Sequence, residues 1–325
     1  MKIENQHSWT YEEANLGAWP LVSVVSVNWN QSKLTRQMLS SLKRTTYPKV
    51  ETWVVDNGST EGDLRPLKEE FPQTHFLRSE ENLGFAGGNN LALPRAKGKY
   101  ILLLNNDTEV ESSFLEPMVE LMEAHEEIGI VSPKIFFYDK PDTLQYAGTT
   151  LIDPITSRGK KFGYNEVDQG QYNEIKPTGF PNGACMLVRR TLFERLGLLY
   201  ENYFLYYEEH DFAHKVRQAG YDIYFQPLSK IYHKVSASTG KLSPLKAYYL
   251  HRNRQVFNRR NLRGTLFLLS SLYYFIVATP KYLLTYLLSK DWKRAKAIWQ
   301  ATSWHFSNMY LPKEQPSAEI QVEAY

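Results

Sequence analysis

Three turns in the first half of the chain set hydrogen-bonding residues directly after apolar runs: Asn28-Trp29-Asn30, Asp56-Asn57-Gly58-Ser59 and Asn105-Asn106-Asp107. A fourth polar cluster, Glu208-Glu209-His210-Asp211, comes later. In an extended segment residues two apart point the same way, so Asn105 and Asp107 can converge on one ion. Hard oxygen ligands of this kind suit Mg2+ or Mn2+, which keep some waters and also bind substrate phosphates. Such an ion stabilises charge appearing on a departing nucleoside diphosphate. The carboxylates at 208, 209 and 211 are candidates for a general base that takes a proton from an attacking hydroxyl. Acids in the first turn of a helix also complement its dipole, so a purely structural reading stands beside the catalytic one.

The elements that must position these residues read as alternating strands and helices. Leu21–Asn28, Val50–Asp56, His75–Arg78 and Tyr100–Leu104 are short apolar or β-branched runs, expected as strands. Between them, Ser32 is expected to cap a helix running to Thr45, and Asp63 one that ends near Phe71. A further helix is expected from Asn89 to Gly98, and another over Ser112–Glu127, followed by a strand at Ile128–Phe136. Residues 140–178 read as a hairpin and a long loop. Gly183–Arg189 is then a strand, Thr191–Gly197 and Glu208–Ala219 helices, and Tyr221–Gln226 and Lys230–Val235 two short strands. Alternation of this kind is the signature of an α/β fold with a mainly parallel sheet sandwiched by helices. In such sheets ligands bind at the carboxyl ends of the strands, where the first three polar turns fall.

Two nucleotide-binding alternatives lack their phosphate cradle. A dinucleotide-binding domain needs a glycine-rich turn after the first strand, and the turn here is NWNQS. A nucleotidyltransferase would need a glycine-rich, basic turn at the same place.

Six segments, in order, carry a resemblance to a known family: SVVSVNWN, VVDNGST, ENLGFAGGNN, YILLLNNDT, FLYYEEHDFAHKVRQAGY and YHK, spanning about residues 21–235. The chain resembles the family 2 inverting glycosyltransferases of the GT-A fold, in the branch that includes many bacterial rhamnosyltransferases. The resemblance implies a nucleoside pocket formed by Asn28, Asn30, Asp56, Asn57 and Ser59. Asn82, Gly84, Phe85, Asn89 and Asn106 would complete the donor site. Glycines at 84, 87 and 88 agree with this, since they let the backbone approach a ligand closely. It further implies a Mg2+ or Mn2+ ion on Asp107, Asn105 and His233, and a base at Glu209, where the family usually has an aspartate. Glu208 and Asp211 remain alternatives for the base. Arg252 is a candidate for diphosphate or acceptor contact, with a surface salt bridge as the bland reading.

Charge divides the chain in two. Residues 1–240 carry 25 Lys and Arg against 31 Asp and Glu, a net of −6, whereas residues 241–312 carry 12 against the single acid Asp291, a net of +11. The first region is expected to be the catalytic domain, 241–312 a basic, aromatic-rich helical region, and 313–325 a flexible tail. Gly264–Thr279 is uncharged, but Pro280 and Lys281 interrupt it before Tyr282–Leu288. A spanning helix needs about 20 consecutive apolar residues, so an amphipathic hairpin lying on a bilayer is expected. Flanking basic residues would attract anionic headgroups, and Trp292, Trp299 and Trp304 suit the interface. No basic start with an apolar run follows Met1, and the single Cys185 excludes an internal disulfide. These features predict a cytoplasmic enzyme, peripheral on the inner face of the membrane. Its partners would be a nucleotide-diphospho-sugar, with dTDP-rhamnose favoured over a UDP-hexose, and a glycan or lipid-linked saccharide. No nucleic-acid recognition motif is present. The alternative of a different class is a non-catalytic sugar-nucleotide or glycan-binding module.

Overall fold

The computed structural model describes residues 19–234, 243–311 and 323–324. Four of the apolar runs form parallel strands side by side, in the order β3 (Thr74–Ser79), β2 (Val50–Asn57), β1 (Val22–Asn28), β4 (Tyr100–Leu104). Crossover helices α1 (Ser32–Leu42), α2 (Arg65–Glu70) and α3 (Gly84–Ala92) connect them. Beyond β4 the sheet continues through β10 (Cys185–Arg189), β6 (Ile128–Phe137), β11 (Asp222–His233) and β5 (Thr108–Val110). The strand β10 runs antiparallel to both β4 and β6, while β6 and β11 are parallel to each other. The sheet is therefore mixed but mainly parallel, as expected. A hairpin joins β6 to β7 (Lys140–Tyr146); the short β8 (Glu166–Val167) pairs with β7 and the short β9 (Lys176–Pro177) with β11.

Side chains of β4 alternate between the two faces, so Tyr100, Leu102 and Leu104 enter one buried cluster and Ile101 and Leu103 the other. The first cluster packs under α1 and α4 (Glu116–Ala124). The second packs under α3, α5 (Arg190–Leu196) and α6 (Glu208–Gln218). Cys185 is fully buried, as its apolar strand suggested.

Several boundaries differ from expectation, each for a physical reason. Helix α3 begins at Gly84 rather than Asn89 and ends at Ala92, well before Gly98. Its glycines have poor helix propensity, but close packing requires them. A Cβ on Gly88 would lie 2.8 Å from Val27 Cγ1, and one on Gly84 would lie 2.2 Å from the Phe204 carbonyl oxygen. Ser32 is the first helical residue of α1 and makes no cap. Asp63 sits two residues before α2 and accepts from the Arg65 amide at 2.8 Å. The helix expected from Ser112 starts only at Glu116, because 108–110 pairs as a strand with β11. The two strands expected at 221–235 are one, β11, with a register shift between Gln226 and Lys230.

The C-terminal helices are α7 (Pro244–Asn261), α8 (Gly264–Leu272), α9 (Thr279–Leu288) and α10 (Trp292–Ser307), with a π-helical turn over Tyr273–Ala278. Ser243 caps α7 by accepting from the Lys246 amide. The expected break at Pro280 does not occur: Gly264–Leu288 is one continuous helix, with the π turn directly ahead of the proline. A π turn shifts the hydrogen-bond pattern by one residue, which accommodates the missing proline donor. The tail expected at 313–325 lies outside the described residues except Glu323–Ala324 (β12), which pairs with Leu77 and Arg78.

Helix α7 holds the segment that leads into α6. Phe204 (φ 61°, ψ −55°) is the centre of a γ-turn of the rare positive-φ kind, closed by the Leu205 amide donating to the Tyr203 carbonyl at 2.6 Å. Tyr206 and Tyr207 also have positive φ. Such backbone persists only where its surroundings over-determine it. Here the Asn253 side-chain amide donates to the carbonyls of Tyr203, Leu205 and Tyr206, each at 2.8 Å. Arg252 donates to the carbonyls of Asn202 and Tyr203, and the Phe85 amide donates to the Phe204 carbonyl at 2.6 Å. Asn253→Ala should therefore cost about 3 kcal/mol in urea unfolding, through buried carbonyls left without a donor. A loss below about 0.5 kcal/mol would show that the turn stands without this clamp.

Candidate active site

The carboxyl ends of β1, β2 and β4 meet the start of β10 and the N-terminus of α6 around a cleft of about 540 Å3. Val27 and Trp29 line it from β1, Asn57 from β2, and Asn82, Gly84 and Phe85 from the turn into α3. Asn105, Asn106 and Asp107 enter after β4, Asn182 to Ala184 before β10, Glu208 and Glu209 from α6, and His233 from the end of β11. A hollow of about 630 Å3 lies near Glu51, Lys97 and Arg190, at the opposite ends of the strands, away from all these turns.

Several expected nucleoside residues lie behind this wall and hydrogen-bond to one another and to their neighbours. Asn28 is fully buried; it donates to Ser59 Oγ (3.1 Å) and accepts from Thr35 Oγ1 (2.8 Å) and Asn106 Nδ2 (3.3 Å). Asn30, at φ 55°, accepts the Thr60 and Glu61 amides at 2.8 and 3.0 Å and so ties the first polar turn to the second. Asp56 accepts from the Ser59 amide (3.2 Å) and pairs with Arg78 (3.2 Å). None of these four residues, Asn28, Asn30, Asp56 and Ser59, lines the cleft. Asn57 does, and its side chain bonds Asn82 Oδ1 (3.0 Å), the Gly84 carbonyl (2.9 Å) and the Leu83 amide (3.0 Å). Asn89 lies buried inside α3, and its side chain donates to the Phe85 carbonyl at 2.8 Å. Its neighbour Asn90, which the sequence reading passed over, ties α3 to the Leu199 carbonyl (2.8 Å) and to Glu201 (2.9 Å).

The three expected metal ligands do come together. Pairing of β5 with β11 sets His233 opposite Thr108, and His233 Nε2 stands 3.1 Å from Asp107 Oδ1. His233 Nδ1 lies 2.9 Å from Gln145 Oε1, so a neutral imidazole carries its proton on Nδ1 and turns the Nε2 lone pair toward Asp107. Two lone-pair bearers at that separation call for a shared cation or proton. Asn105 Oδ1 is buried in the same wall with no hydrogen-bond partner. Carboxylate, amide oxygen and imidazole fit a small divalent ion that keeps waters and substrate phosphate as its other ligands. Among the described residues no group of three His, Cys, Asp or Glu gathers to hold a metal without such help.

The acidic cluster splits by environment. Burial, then the neighbouring Glu209 charge, raise the Glu208 carboxyl well above its ordinary 4.5. Burial also pushes Glu209 upward, but the His210 ring 3.3 Å away, the helix amide and the Lys161 charge outweigh it and hold Glu209 below 4.5. Glu208 thus holds its proton more tightly than Glu209; both line the cleft, and among the described residues each has a carboxylate oxygen lacking a hydrogen-bond partner. Asp211 is elsewhere: it accepts from Tyr203 (3.1 Å), Arg260 (3.2 Å) and Asn261 (2.6 Å) and fastens α6 to α7. Both Asp211 oxygens are thus engaged by neighbours, and Asp211 does not line the cleft.

Arg252 also differs from both earlier readings. It is buried against Tyr249 and Trp304, with ring centroids 4.9 and 5.0 Å from Cζ, and clamps the γ-turn instead of facing the cleft or the surface. The cleft instead contains Lys161, Lys246, Gln145, Asn182 and Tyr249, which the sequence reading did not single out. They come from the end of β7, from loops and from the first two turns of α7, where no spacing rule marks them.

The description Glycosyl transferase family 2 matches residues 23–197, more than half of the chain. The chain is 28% identical over 243 residues to the low-salt glycan biosynthesis hexosyltransferase Agl10 of Haloferax volcanii, covering 72% of this chain and 74% of that protein. It is 23% identical over 259 residues to the N-acetylglucosaminyl-diphospho-decaprenol L-rhamnosyltransferase of Mycobacterium tuberculosis, covering 73% and 83%. Its fold is similar to that of mannosyltransferase PcManGT from Pyrobaculum calidifontis, solved with GDP-Man and Mn2+, with a TM-score of 0.57 at 18% identity over 92% of this chain and 78% of that one. It is also similar to that of S. aureus TarS 1-349 with UDP-GlcNAc, with a TM-score of 0.53 at 18% identity over 86% and 81%. Sequence, sheet order and cleft agree: the chain belongs to glycosyl transferase family 2 and is a glycosyltransferase with a GT-A-type fold.

Proposed function

We propose that the cleft transfers a sugar, with inversion, from a nucleotide-diphospho-sugar to an acceptor hydroxyl of a cell-surface glycan or lipid-linked precursor. The observation that carries this reading is the meeting of Glu208 and Glu209 with Asp107 and His233 in one cleft, with Glu209 the more readily ionised of the two acids. An inverting transfer needs one carboxylate. Glu209 takes the proton of the acceptor hydroxyl as that oxygen forms its bond to the anomeric carbon, and the bond from carbon to the nucleoside diphosphate breaks on the opposite face. The protonated Glu208 is placed to donate a hydrogen bond to a sugar or acceptor oxygen. Asn57, Asn82 and Phe85 bind the nucleoside end. Asp107, His233 and Asn105 would hold Mg2+ or Mn2+, which when bound neutralises the leaving diphosphate. The rhamnosyltransferase relative supports dTDP-rhamnose over a UDP-hexose as donor.

The helical region supports a lipid-side location for the acceptor. Helix Gly264–Leu288 turns Ser270, Tyr274, Ala278 and Thr279 inward and leaves Leu268, Ile276, Leu284 and Leu288 between 57% and 75% exposed. Trp292, Trp299 and Phe306 are exposed on α10. An apolar face with basic neighbours and exposed tryptophans fits attachment in the plane of an anionic bilayer.

Glu209→Gln keeps the size of the side chain and removes the base, so kcat should fall by about 10^3-fold with donor affinity unchanged. The acid limb of the wild-type pH profile should lie below 4.5, since Glu209 is held down. Retained turnover in Glu209→Gln would move the base elsewhere.

Glu208 gives a stability test with a defined sign. Above its ordinary 4.5 the unfolded chain has lost this proton while the fold still holds it, so this residue makes stability fall as pH rises. Glu208→Gln should therefore melt higher than wild type at pH 8, with the gap closing below pH 4.5. A gap that stays constant across that range would contradict the neutral assignment.

A further inference from the structure

Arg254 lies on α7, 2% exposed, and among the described residues none of its three guanidinium nitrogens has a partner at good hydrogen-bond geometry. Its polar neighbours include the phenols of Tyr207, Tyr273 and Tyr274 and the imidazole of His251; Tyr273 is near enough to interact with it, with its ring centroid 5.1 Å from Cζ. Burial pushes Tyr207 up to about 12, so it brings no negative charge near neutral pH. A second cation, the exposed Arg158, follows a loop docked on α7, where Tyr207 donates to the Ser157 carbonyl (3.2 Å) and Ser157 to Asn258. Burial first, then Arg254, His305 and Arg158, drive His251 down to about 3, so the imidazole there is neutral.

Among the described residues, the nearby carboxylates are already engaged. Asp153 senses Arg254 but accepts the Thr156 amide at 2.6 Å. Asp211 is bonded to Arg260, Asn261 and Tyr203. Asp291, the one acid between 241 and 312, caps α10 and pairs with Arg294 at 2.5 Å. Arginine does not shed its proton in proteins, and a buried charge without a counter-charge is strongly unfavourable. Among the described residues, therefore, no carboxylate pairs directly with this guanidinium, and only Asp153 senses its charge.

The position of the guanidinium suggests a source of counter-charge. Tyr273 belongs to the π turn inside the helix that exposes Leu268 and Ile276, and the Arg158 guanidinium stands 5.5 Å over the ring of Tyr282 on α9. We propose that Arg254 and Arg158 bind a phosphate group carried by a lipid at the membrane surface. This assignment rests on the bilayer-attachment reading above, and the chemistry it requires is a phosphate monoester or diester. Guanidinium groups match phosphate geometry through paired hydrogen bonds, and Tyr273 on the π turn is the group that must yield for the anion to reach Arg254.

The test uses the full chain, wild type and Arg254→Met, in thermal melts and vesicle sedimentation. Without phosphate, Arg254→Met should melt above wild type, because it removes an unpaired buried charge. Inorganic phosphate at about ten times its Kd, against chloride at matched ionic strength, should raise the wild-type Tm by about 2 °C and leave Arg254→Met unmoved. Phosphatidylcholine vesicles containing phosphatidic acid should bind wild type about tenfold more tightly than the variant. Arg158→Gln, an exposed change that leaves the core intact, should give an intermediate loss if Arg254→Met does not fold. Equal behaviour of wild type and both variants, with vesicle binding retained, would overturn the arginine site while leaving membrane attachment standing. Wild type that ignores these vesicles overturns attachment itself. Stabilisation by inorganic phosphate with vesicles inert would overturn the lipid assignment.

Discussion

One side-chain amide holds three main-chain carbonyls in register, and the geometry of the cleft depends on it. Asn253 Nδ2 reaches Tyr203, Leu205 and Tyr206, which bracket a γ-turn that no helix or strand would hold. Release of that turn would free Phe204, whose carbonyl receives the Phe85 amide and whose position forbids a side chain at residue 84. It would also free the start of α6, where Glu208 and Glu209 sit. The donor-side turn and the acidic helix are thus registered to each other through α7, a helix of the basic region. The charge asymmetry along the chain separates two compositions, but the fold makes them one working unit.

The same contact sets the electrostatics. Two adjacent acids at a helix start line one cleft, yet burial raises Glu208 while His210 and Lys161 hold Glu209 down. A pair separated in this way offers one proton acceptor and one donor, which a purely dipole-complementing pair would not need. Across the cleft, Asp107 and His233 face each other with unlike elements beneath them, a turn after β4 and the end of β11. Their proximity follows from the antiparallel pairing of β5 with β11 rather than from any local motif.

Much of this was legible in the sequence because it follows from local rules. Buried strands must stop in polar turns, and the turns at 28–30, 56–59 and 105–107 do meet at one edge of the sheet. Legibility failed where long-range packing decides. Helix α3 starts on glycines because Val27 and Phe204 leave no room for a Cβ, a fact no propensity scale carries. Asn28 and Asp56 carry the right chemistry, yet their hydrogen bonds are taken up by Ser59, Thr35 and Arg78. Asp211 and Arg252 read as site residues from their company in the chain, whereas each secures α7. Lys161 and Lys246 reach the cleft from segments distant in sequence, so spacing gave no sign of them.

The central claim is that the cleft binds a nucleotide sugar through a divalent ion on Asp107 and His233. Its most direct test is thermal stabilisation of the purified chain by a panel of nucleotide sugars, with and without Mn2+. A ligand that binds only the folded state raises the melting temperature by mass action. The account predicts a rise with one donor that requires the metal and disappears in Asp107→Ala. A rise that persists without metal or in Asp107→Ala, or no rise with any nucleotide sugar in a well-folded sample, would contradict it.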